Sequence, residues 1–415
     1  MLLRPRILLL SSYYFPFQGG TETHARVIAS SLLASGFGVT VLTRRDDRGS
    51  PVSDTIDGVP VIRVRPGGPR TGLRKWAMLP FAALELFRRR RDFDVIYCPG
   101  YQGIGLVAIA MGRLLNRAVV LRSGNLGVLT GRQWDAPLAR WHVPSATWPI
   151  RRLKRMVQRV YMRADAMVCN SRENEREALV AGMPAAKLHY LPNAVDVERF
   201  RPGSPVEKAQ IQRASHWPEG KKVCLYLGRL SLEKGVMDLL AAWKVLRREG
   251  FTLVLVGPDM PGPLDAGPAA RRFVAEHQLE ASVIFAGEST DAPRLLRGAD
   301  IYVQPSHYES FSNALVEAMA TGLPVVASRV GGMLDCVNDG RNDEDGGNGL
   351  LFTPNNSSDL AAKLQTLIDD PVLAERLGAR ARETIVKDFG QPSMVARFEQ
   401  LFMDTFAGTR RPSAR

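Results

Sequence analysis

The sequence predicts an α/β protein with two doubly wound, Rossmann-like domains that face each other across a cleft. Short apolar runs rich in Val, Ile and Leu alternate with longer amphipathic stretches of helical period, a pattern typical of parallel sheets covered by helices. The alternation stops at the Pro- and Gly-containing segment 201–205 and then starts again. A chain of 415 residues is long enough for two such domains, each with its own core.

The first half alternates strand and helix patterns from its beginning. Arg6–Ser11 is predicted as a strand, a loop containing two glycines follows it, and Glu22–Ala34 is predicted as an amphipathic helix capped near Gly36. Further predicted strands are Gly38–Thr43, Asp94–Cys98, Ala118–Leu121 and Ala166–Asn170. Because the carboxyl ends of parallel strands form one edge of a sheet, the loop Arg122–Gly127 could line the cleft.

The second half restarts the same alternation. Its predicted elements are the strands Lys222–Leu227, Thr252–Val256 and Val283–Phe285 and the helix Gly235–Arg248. The chain is organised around residues 300–328, where the strand Ile301–Val303, a loop, a helix capped by Ser312 and the strand Val325–Ala327 follow one another. A last periodic segment, Gln391–Phe406, predicts a C-terminal helix.

The formal net charge of +13 is concentrated in one half of the chain. Residues 1–200 hold 30 Lys and Arg against 15 Asp and Glu, whereas residues 201–415 hold 25 against 27. A basic excess confined to one half predicts a polyanionic partner or surface for that half alone. The apolar fraction of 45% is that of a globular protein and excludes a largely disordered chain.

Cysteine usage and hydropathy indicate a cytoplasmic protein. The four cysteines are far apart in the sequence, so buried reduced thiols are predicted rather than disulfides or a metal site: Cys98, Cys169, Cys224 and Cys336. No apolar run approaches the roughly 18 residues of a membrane-spanning helix. The opening residues read as a strand and not as a cleaved leader.

The stretch 300–328 carries two carboxylates, Glu309 in its loop and Glu317 in its helix. An anion site is favoured beside them by the backbone N–H groups at the helix start, those of Phe311, Ser312, Asn313 and Ala314. Carboxylates next to an anion suit a ligand with hydroxyl groups as well as phosphates. A nucleotide sugar has this combination, since it joins a diphosphate to the diols of ribose and sugar.

Two glycine-containing loops provide further candidates for phosphate contacts. The loop Gly228–Gly235 follows a predicted strand and carries Arg229, which can fork two phosphate oxygens, and Lys234, which adds a compact charge. Gly19 and Gly20 precede the first helix and allow a close backbone approach. The dinucleotide fingerprint G-x-G-x-x-G is absent there.

These motifs together resemble those of the family 4 retaining glycosyltransferases, which have the GT-B fold. The resemblance is carried by the block ESFSNALVEAMATGLPVVAS, in which Glu309 and Glu317 form a Glu-x7-Glu signature, and by GRLSLEKG at 228–235. It implies that Glu309 holds sugar hydroxyls, that Glu317 holds the ribose diol, and that Arg229 and Lys234 stabilise the leaving diphosphate.

The resemblance also implies a domain organisation, and the sequence departs from the family pattern at two places. Residues 1–200 would bind the acceptor, residues 206–388 the nucleotide sugar, the helix 389–408 would return to the first domain, and 409–415 would be a disordered tail. Gly19 and Gly20 would approach the donor's diphosphate and sugar. The segment Tyr97–Tyr101 stands where family members often carry a histidine, and Ala194 stands where glycine is usual.

Two basic, aromatic-containing segments, 70–91 and 140–163, explain the charge of the first half. Lys and Arg mixed with tryptophan at helical spacing suit the interface of an anionic bilayer. A solvated basic face over an ordinary core is an equal alternative. Nucleic acid is a third interpretation, which no RNP, zinc-finger or helix-turn-helix pattern supports.

The predicted function is hexosyl transfer by a metal-independent glycosyltransferase that acts without a cofactor, and the resemblance implies that it retains the anomeric configuration. Its donor is a nucleotide-diphosphate sugar, and its acceptor is a lipid-linked or envelope glycan, which makes the protein a peripheral enzyme of polysaccharide synthesis at the cytoplasmic membrane face. A soluble phosphorylated acceptor, or a non-catalytic nucleotide-sugar sensor, is the alternative. No metal is predicted, because Asp92 and Asp94 precede a strand and the acidic run 343–345 lies in a glycine-rich loop.

Overall fold

The computed structural model describes residues 4–16, 19–45, 50–66, 74–135, 138, 144–246, 248–260, 262–340 and 346–410. The chain divides into two compact units. Unit 1 comprises Met1–Asn193 and Met394–Arg415, and unit 2 comprises Ala194–Ser393. The acidic run 343–345 and residues 411–415 of the tail lie outside the described residues.

Unit 1 is built on a sheet of eight described strands. They are β1 Ile7–Leu10, β2 Val39–Arg44, β3 Ser53–Ile56, β4 Val59–Val64, β5 Val95–Cys98, β6 Ala118–Ser123, β7 Ala166–Cys169 and β8 Leu188–Tyr190. Their spatial order is β3-β4-β2-β1-β5-β6-β7-β8, and every pair is parallel except β3 with β4. The chain order reverses direction between β1 and β5, which is the switch point of a doubly wound sheet.

The described helices of unit 1 connect these strands. They are α1 Gly20–Ala34, α2 Arg74–Ala77, α3 Leu79–Arg88, α4 Ile104–Leu115, α5 Trp148–Tyr161, α6 Arg172–Val180 and, at the end of the chain, α15 Gln391–Arg410. The C-terminal helix belongs to this unit through its apolar side. Phe398 and Phe402 are fully buried, and their rings lie 5.9 and 5.3 Å from that of Tyr97 on β5.

Unit 2 is built on a sheet of six described strands, all parallel. They are β9 Lys222–Leu227, β10 Phe251–Val256, β11 Val283–Gly287, β12 Ile301–Gln304, β13 Val325–Ser328 and β14 Leu350–Phe352, in the spatial order β11-β10-β9-β12-β13-β14. Alternate residues of β9 enter two separate cores, Val223 and Leu225 one, Cys224 and Tyr226 the other. Both faces of the sheet are therefore covered, as parallel sheets require.

The described helices of unit 2 are α7 Pro205–Ala214, α8 Val236–Leu246, α9 Gly267–Glu276, α10 Ala292–Arg297, α11 Asn313–Ala320, α12 Met333–Cys336, α13 Ser357–Asp369 and α14 Pro371–Asp388. Several begin at a capping side chain. Ser312 Oγ accepts a hydrogen bond from the Leu315 N–H at 3.2 Å, as the sequence predicts for α11. None of the helices among the described residues is long and apolar enough to span a membrane.

The prediction of two Rossmann-like α/β domains is confirmed by these sheets. The sequence analysis does not predict the hairpin β3–β4. Its signal is the pair Asp57-Gly58, which both adopt positive φ, at 51° and 80°, as the two-residue turn of a hairpin requires. All four cysteines are buried as free thiols.

Candidate functional site

The switch point of the unit 2 sheet lies between β9 and β12, which pair in parallel. A loop leaves the carboxyl end of each strand: we call Gly228–Gly235 the cation loop and Pro305–Ser312 the carboxylate loop. Ligands of doubly wound sheets bind in the crevice at this point, because the two loops diverge there to opposite faces of the sheet.

Two glycines allow the backbones around this crevice to touch. Gly235 ends the cation loop in a left-handed conformation, φ +68°, and a Cβ there would lie 1.9 Å from the carbonyl oxygen of Pro305. Gly257, at φ +146°, would place a Cβ 2.0 Å from the carbonyl oxygen of Gly228. A side chain fits neither position, so Gly235 permits the close approach of the two loops and Gly257 that of the cation loop to the segment after β10.

The two loops are joined by an ion pair between Lys234 and Glu309, whose ammonium and carboxylate are in direct contact. Both side chains are mostly buried, with 21% and 14% of their surface exposed. The sequence predicts separate roles for them, phosphate for Lys234 and sugar hydroxyls for Glu309. The structure adds that they position each other.

Arg229 is the exposed cation of the cation loop. Its backbone is fixed by Tyr226, whose hydroxyl donates to the Arg229 carbonyl oxygen at 2.8 Å. Its guanidinium lies 3.7 Å from the Met260 sulfur, a weak contact that leaves it available to an anion. Gly228 has to be small, since a Cβ there would lie 2.8 Å from the Tyr226 hydroxyl.

The start of α11 carries the backbone N–H groups that the sequence predicts to bind an anion. Asn313 and Ala314 are its first helical residues, so their N–H groups lie at the positive end of the helix. Phe311 differs from the others because its ring is buried in the core, 6.1 Å from that of Phe389. Its side chain therefore anchors the helix start, and only its backbone can face a ligand.

A network of buried polar side chains connects the carboxylate loop to the ends of the strands β12 and β13. Tyr302 Oη donates to Gln304 Oε1 at 2.6 Å, and Ser312 Oγ lies 3.2 Å from the same oxygen. Gln304 Nε2 donates to Ser306 Oγ at 2.9 Å, and Ser328 Oγ donates to the Ser306 carbonyl. Since the side chains in this network are buried and hydrogen-bonded, the loop is held in one conformation.

Glu317 lies one turn into α11, on the same helix as the anion-binding N–H groups. Burial raises the pKa of its carboxyl group from 4.5 to about 7, and the positive charge of Arg199 opposes this rise only in part. A half-buried carboxyl near a helix start, with its charge only partly compensated, is a candidate for binding hydroxyl groups of a ligand.

In unit 1, Gly19 and Gly20 lie at the start of α1, which follows β1. Gly19 is the N-cap residue and has extended backbone geometry, and no side chain caps the helix through it. A Cβ at Gly19 would lie 2.4 Å from a Glu22 carboxylate oxygen, so this side chain folds back towards the helix start.

Unit 1 also buries polar side chains, among them His24, which the sequence analysis did not name, and Arg122, which it placed in a cleft-lining loop and which lies buried in β6. His24 of α1 lies 2.7 Å from the Tyr97 hydroxyl through Nε2. Burial, and secondarily the charge of Arg122, holds the pKa of His24 well below its usual range, so its imidazole is neutral. Arg122, at 1% exposure, contacts Asn193 and donates to the Pro99 carbonyl oxygen at 3.4 Å.

The structure thus gathers most of the predicted residues at one crevice of unit 2. They are Gly228, Arg229, Lys234, Glu309, Phe311, Ser312, Asn313, Ala314 and Glu317. Gly19 and Gly20 lie in unit 1. No cluster of three metal-ligating side chains occurs in the part of the chain that the structure describes.

Comparison with known proteins agrees with this arrangement. The chain has the GT-B fold, with two Rossmann-like units, as its structural neighbours do. The family model "Glycosyl transferases group 1" matches residues 207–384, and "Glycosyltransferase Family 4" matches residues 18–199. A D-inositol 3-phosphate glycosyltransferase of Kineococcus radiotolerans is 31% identical over 91% of this chain and 90% of its own. The chain therefore belongs to glycosyltransferase family 4 and is a glycosyltransferase.

Further relatives support the same family and fold. A glycogen synthase of Mycobacterium tuberculosis is 27% identical over 99% of this chain and 97% of its own length. Anabaena HepE in complex with UDP superposes with a TM-score of 0.76 at 21% identity, covering 96% of this chain and all of that one. Sucrose-phosphate synthase of Thermosynechococcus elongatus gives a TM-score of 0.76 at 24% identity, covering 97% and 100%.

Proposed function

We propose that this glycosyltransferase moves a hexosyl group from a nucleotide-diphosphate sugar to a glycan acceptor, with retention of anomeric configuration and without a metal ion. The single observation that carries the proposal is the Lys234–Glu309 pair beside the start of α11. It places a cation for phosphate and a carboxylate for hydroxyls next to each other. The UDP and UDP-glucose complexes of HepE support this choice of donor.

Each group has a role in the proposed reaction. Departure of the nucleoside diphosphate builds negative charge on the leaving oxygen, which Arg229, Lys234 and the N–H groups of Asn313 and Ala314 stabilise. Preorganised donors of this kind contribute about 3 to 4 kcal/mol each, on the order of 100- to 1000-fold in rate. Glu309 accepts hydrogen bonds from sugar hydroxyls.

The proposed site for the ribose of the nucleoside is Glu317, and the partial burial of its carboxyl group supports this assignment. This carboxyl accepts hydrogen bonds from the ribose diol, and the interaction strengthens when the carboxyl is ionised. The proposed cation set explains how the reaction proceeds without a divalent metal, since guanidinium and ammonium carry the required positive charge.

A panel of nucleotide sugars tests this proposal, with hydrolysis and transfer as readouts. Wild type should release UDP or another nucleoside diphosphate from at least one donor. Arg229→Ala should lower kcat about 100-fold, whereas Arg248→Ala, which removes a surface cation paired with Asp369, should leave kcat unchanged. Full turnover by Arg229→Ala would exclude the charge-stabilising role.

Retention is a separate part of the proposal. The two-carboxylate geometry of retaining glycosidases does not apply, because Glu309 and Glu317 lie at the same switch point. NMR assignment of the product's anomeric proton decides between retention and inversion. An inverted product would remove this part and leave the donor chemistry intact.

The proposed acceptor is a lipid-linked or envelope glycan, and the proposed location is the cytoplasmic face of the membrane. Support comes from α5, which carries five cations and no acidic residue over Trp148–Tyr161. Its outer surface combines Trp148, 65% exposed, and Met156, 57% exposed, with Arg152 and Arg155. A cationic helix that exposes tryptophan fits the headgroup region of an anionic bilayer.

The predicted basic segment at 70–91 adds exposed Phe81 and Phe87 on α3, while 67–73 and 140–143 lie outside the described residues.

Vesicle flotation tests the membrane part. Wild type should float with vesicles containing phosphatidylserine and not with neutral ones. Replacing Arg151, Arg152 and Arg155 by Ser should abolish flotation, whereas replacing Arg248, Arg271 and Arg272 of unit 2 by Ser, an equal loss of charge, should not. Equal flotation of the two triple variants would remove the membrane role of α5.

A soluble phosphorylated acceptor is the second candidate. It is favoured by the relative named D-inositol 3-phosphate glycosyltransferase, which is 31% identical to this chain. If wild type fails to bind anionic vesicles and transfers sugar to a phosphorylated acceptor in solution, this candidate replaces the first.

A further inference from the structure

In the carboxylate loop, His307 makes two contacts with neighbouring elements that have not yet been described. His307 lies two positions before Glu309. Its backbone N–H donates to the Glu233 carbonyl oxygen in the cation loop at 2.9 Å. Its imidazole Nε2 contacts Asp238 Oδ2 at 2.5 Å. His307 therefore contacts both the cation loop and the helix that follows it.

Asp238 is well placed to hold the imidazole. It lies in the first turn of α8, where a negative charge is favoured by the helix dipole. Since a carboxylate can only accept, Nε2 of His307 is the donor in this contact. The two side chains retain 31% and 25% exposure, so water reaches the pair without separating it.

Several contacts of the described residues cross from the carboxylate loop to the cation loop and α8. The backbone contact at Gly235 and the ion pair of Lys234 with Glu309 are two of them. His307 makes two more, the backbone hydrogen bond to the Glu233 carbonyl oxygen and the side-chain contact with Asp238, and neither uses a proposed substrate-binding group. The contacts of His307 and Gly235 do not involve the side chains of Lys234 and Glu309, so they do not depend on how that pair engages a donor.

We propose that His307 is a positioning residue that, through Asp238, holds Glu309 and Lys234 at the separation required for sugar transfer. The inference rests on the proposed function, because it concerns the groups that act on the donor. The charged side chain at the imidazole is that of Asp238, while the His307 backbone bonds to the Glu233 carbonyl oxygen and the neighbouring Lys234 and Glu309 pair with each other. Of these, only Asp238 bonds directly to the ring among the contacts of the described residues.

Two substitutions of His307 separate its hydrogen bond from its volume. His307→Phe keeps a ring of similar size and removes the donor, whereas His307→Gln places an amide N–H at similar reach. We expect His307→Phe to lower kcat for donor turnover about 10-fold, since small displacements of catalytic groups are costly. His307→Gln should stay within about 2-fold of wild type. Both should change the KM for donor and the Kd of UDP less than about 3-fold, because loop register affects the reacting end of the donor most.

A double-mutant cycle with Asp238→Ala completes the test. Asp238→Ala should lower kcat about as much as His307→Phe, and the double variant should be no slower than either single variant. Thermal unfolding of each protein identifies variants that fail to fold, and Asp238→Ala then provides the measurement if His307→Phe is unfolded.

The outcomes distinguish this inference from the proposed function. Wild-type kcat in His307→Phe and Asp238→Ala overturns the positioning role, as does an equal loss in His307→Gln and His307→Phe. Additive losses in the double variant also overturn it. If wild type itself binds no UDP and turns over no nucleotide sugar, the proposed function fails and the inference with it.

Discussion

At the scale of one residue, the Glu317 carboxyl group illustrates how a group suited to ligand binding lowers the stability of the folded protein when it is ionised. Its carboxyl group is buried without a matching cation close enough to restore its usual pKa, so the folded protein takes up a proton that the unfolded chain releases. The pKa of this carboxyl is about 7 in the folded protein and 4.5 in the unfolded chain. Protonation of Glu317 therefore stabilises the folded state, fully below pH 4.5, and this stabilisation is lost as the pH rises to about 7.

The pH dependence of the variant Glu317→Gln tests this. Because an amide cannot ionise, the variant should gain stability over wild type as the pH rises from 5 to 8, by about 3 kcal/mol if the whole shift is expressed. Thermal unfolding at both pH values measures the gain. UDP affinity should fall in the same variant. An equal difference in Tm at pH 5 and pH 8 would show that the carboxyl titrates normally.

A substitution of Ser312, which caps α11, can distinguish the structural role of this helix start from a role in ligand binding. Ser312→Ala removes the hydrogen bond to the Leu315 N–H and should cost about 1 kcal/mol. Asn356 caps α13 in the same unit through a 3.0 Å bond to the Asp359 N–H, so Asn356→Ala is a matched control of similar cost. Only Ser312→Ala should weaken UDP binding, as measured by calorimetry. Equal UDP affinity in both variants would place the phosphates elsewhere.

The contact between the two loops of the site depends on glycine. Gly235→Ala combines a left-handed residue with a clash against the Pro305 carbonyl, so the loops must separate. Gly250 has a similar φ of +79°, and a Cβ there meets nothing within 4 Å. Gly250→Ala should therefore cost about 1 to 2 kcal/mol and leave kcat intact, whereas Gly235→Ala should lose most activity. Comparable kcat values in the two variants would contradict this importance of the loop contact.

The elements differ in how far the sequence predicts them. Parallel strands such as β9 and β12 are continuous apolar runs, and α11 has a capping serine and an apolar stripe, so their positions follow from pattern alone. Pairs such as Lys234 with Glu309 and His307 with Asp238 lie 75 and 69 residues apart. No local pattern encodes such contacts, because they depend on which strands become neighbours in the sheet.

At the scale of the whole molecule, the C-terminal helix α15 packs into the core of unit 1, which is otherwise formed by the first half of the chain. The α15 side chains Phe398 and Phe402 pack against Tyr97, and His24 lies 5.4 Å from the Phe398 ring. Arg397 also donates to the Tyr190 carbonyl oxygen at the last strand of the unit 1 sheet. Unit 1 therefore cannot reach its final core until the full chain is present.

Substitution within α15 tests how strongly unit 1 depends on it. Phe402→Ala removes a fully buried ring and should destabilise unit 1 by about 3 to 5 kcal/mol. Gln400→Ala, on the exposed side of the same helix, is the control and should change stability by less than about 0.5 kcal/mol. Hydrogen exchange resolved by segment measures the effect, and protection should fall in β1 and β5 while β9 and β12 of unit 2 keep theirs. Uniform loss of protection in both units would show that they unfold as one cooperative body, because the damage would then spread beyond the core that Phe402 enters.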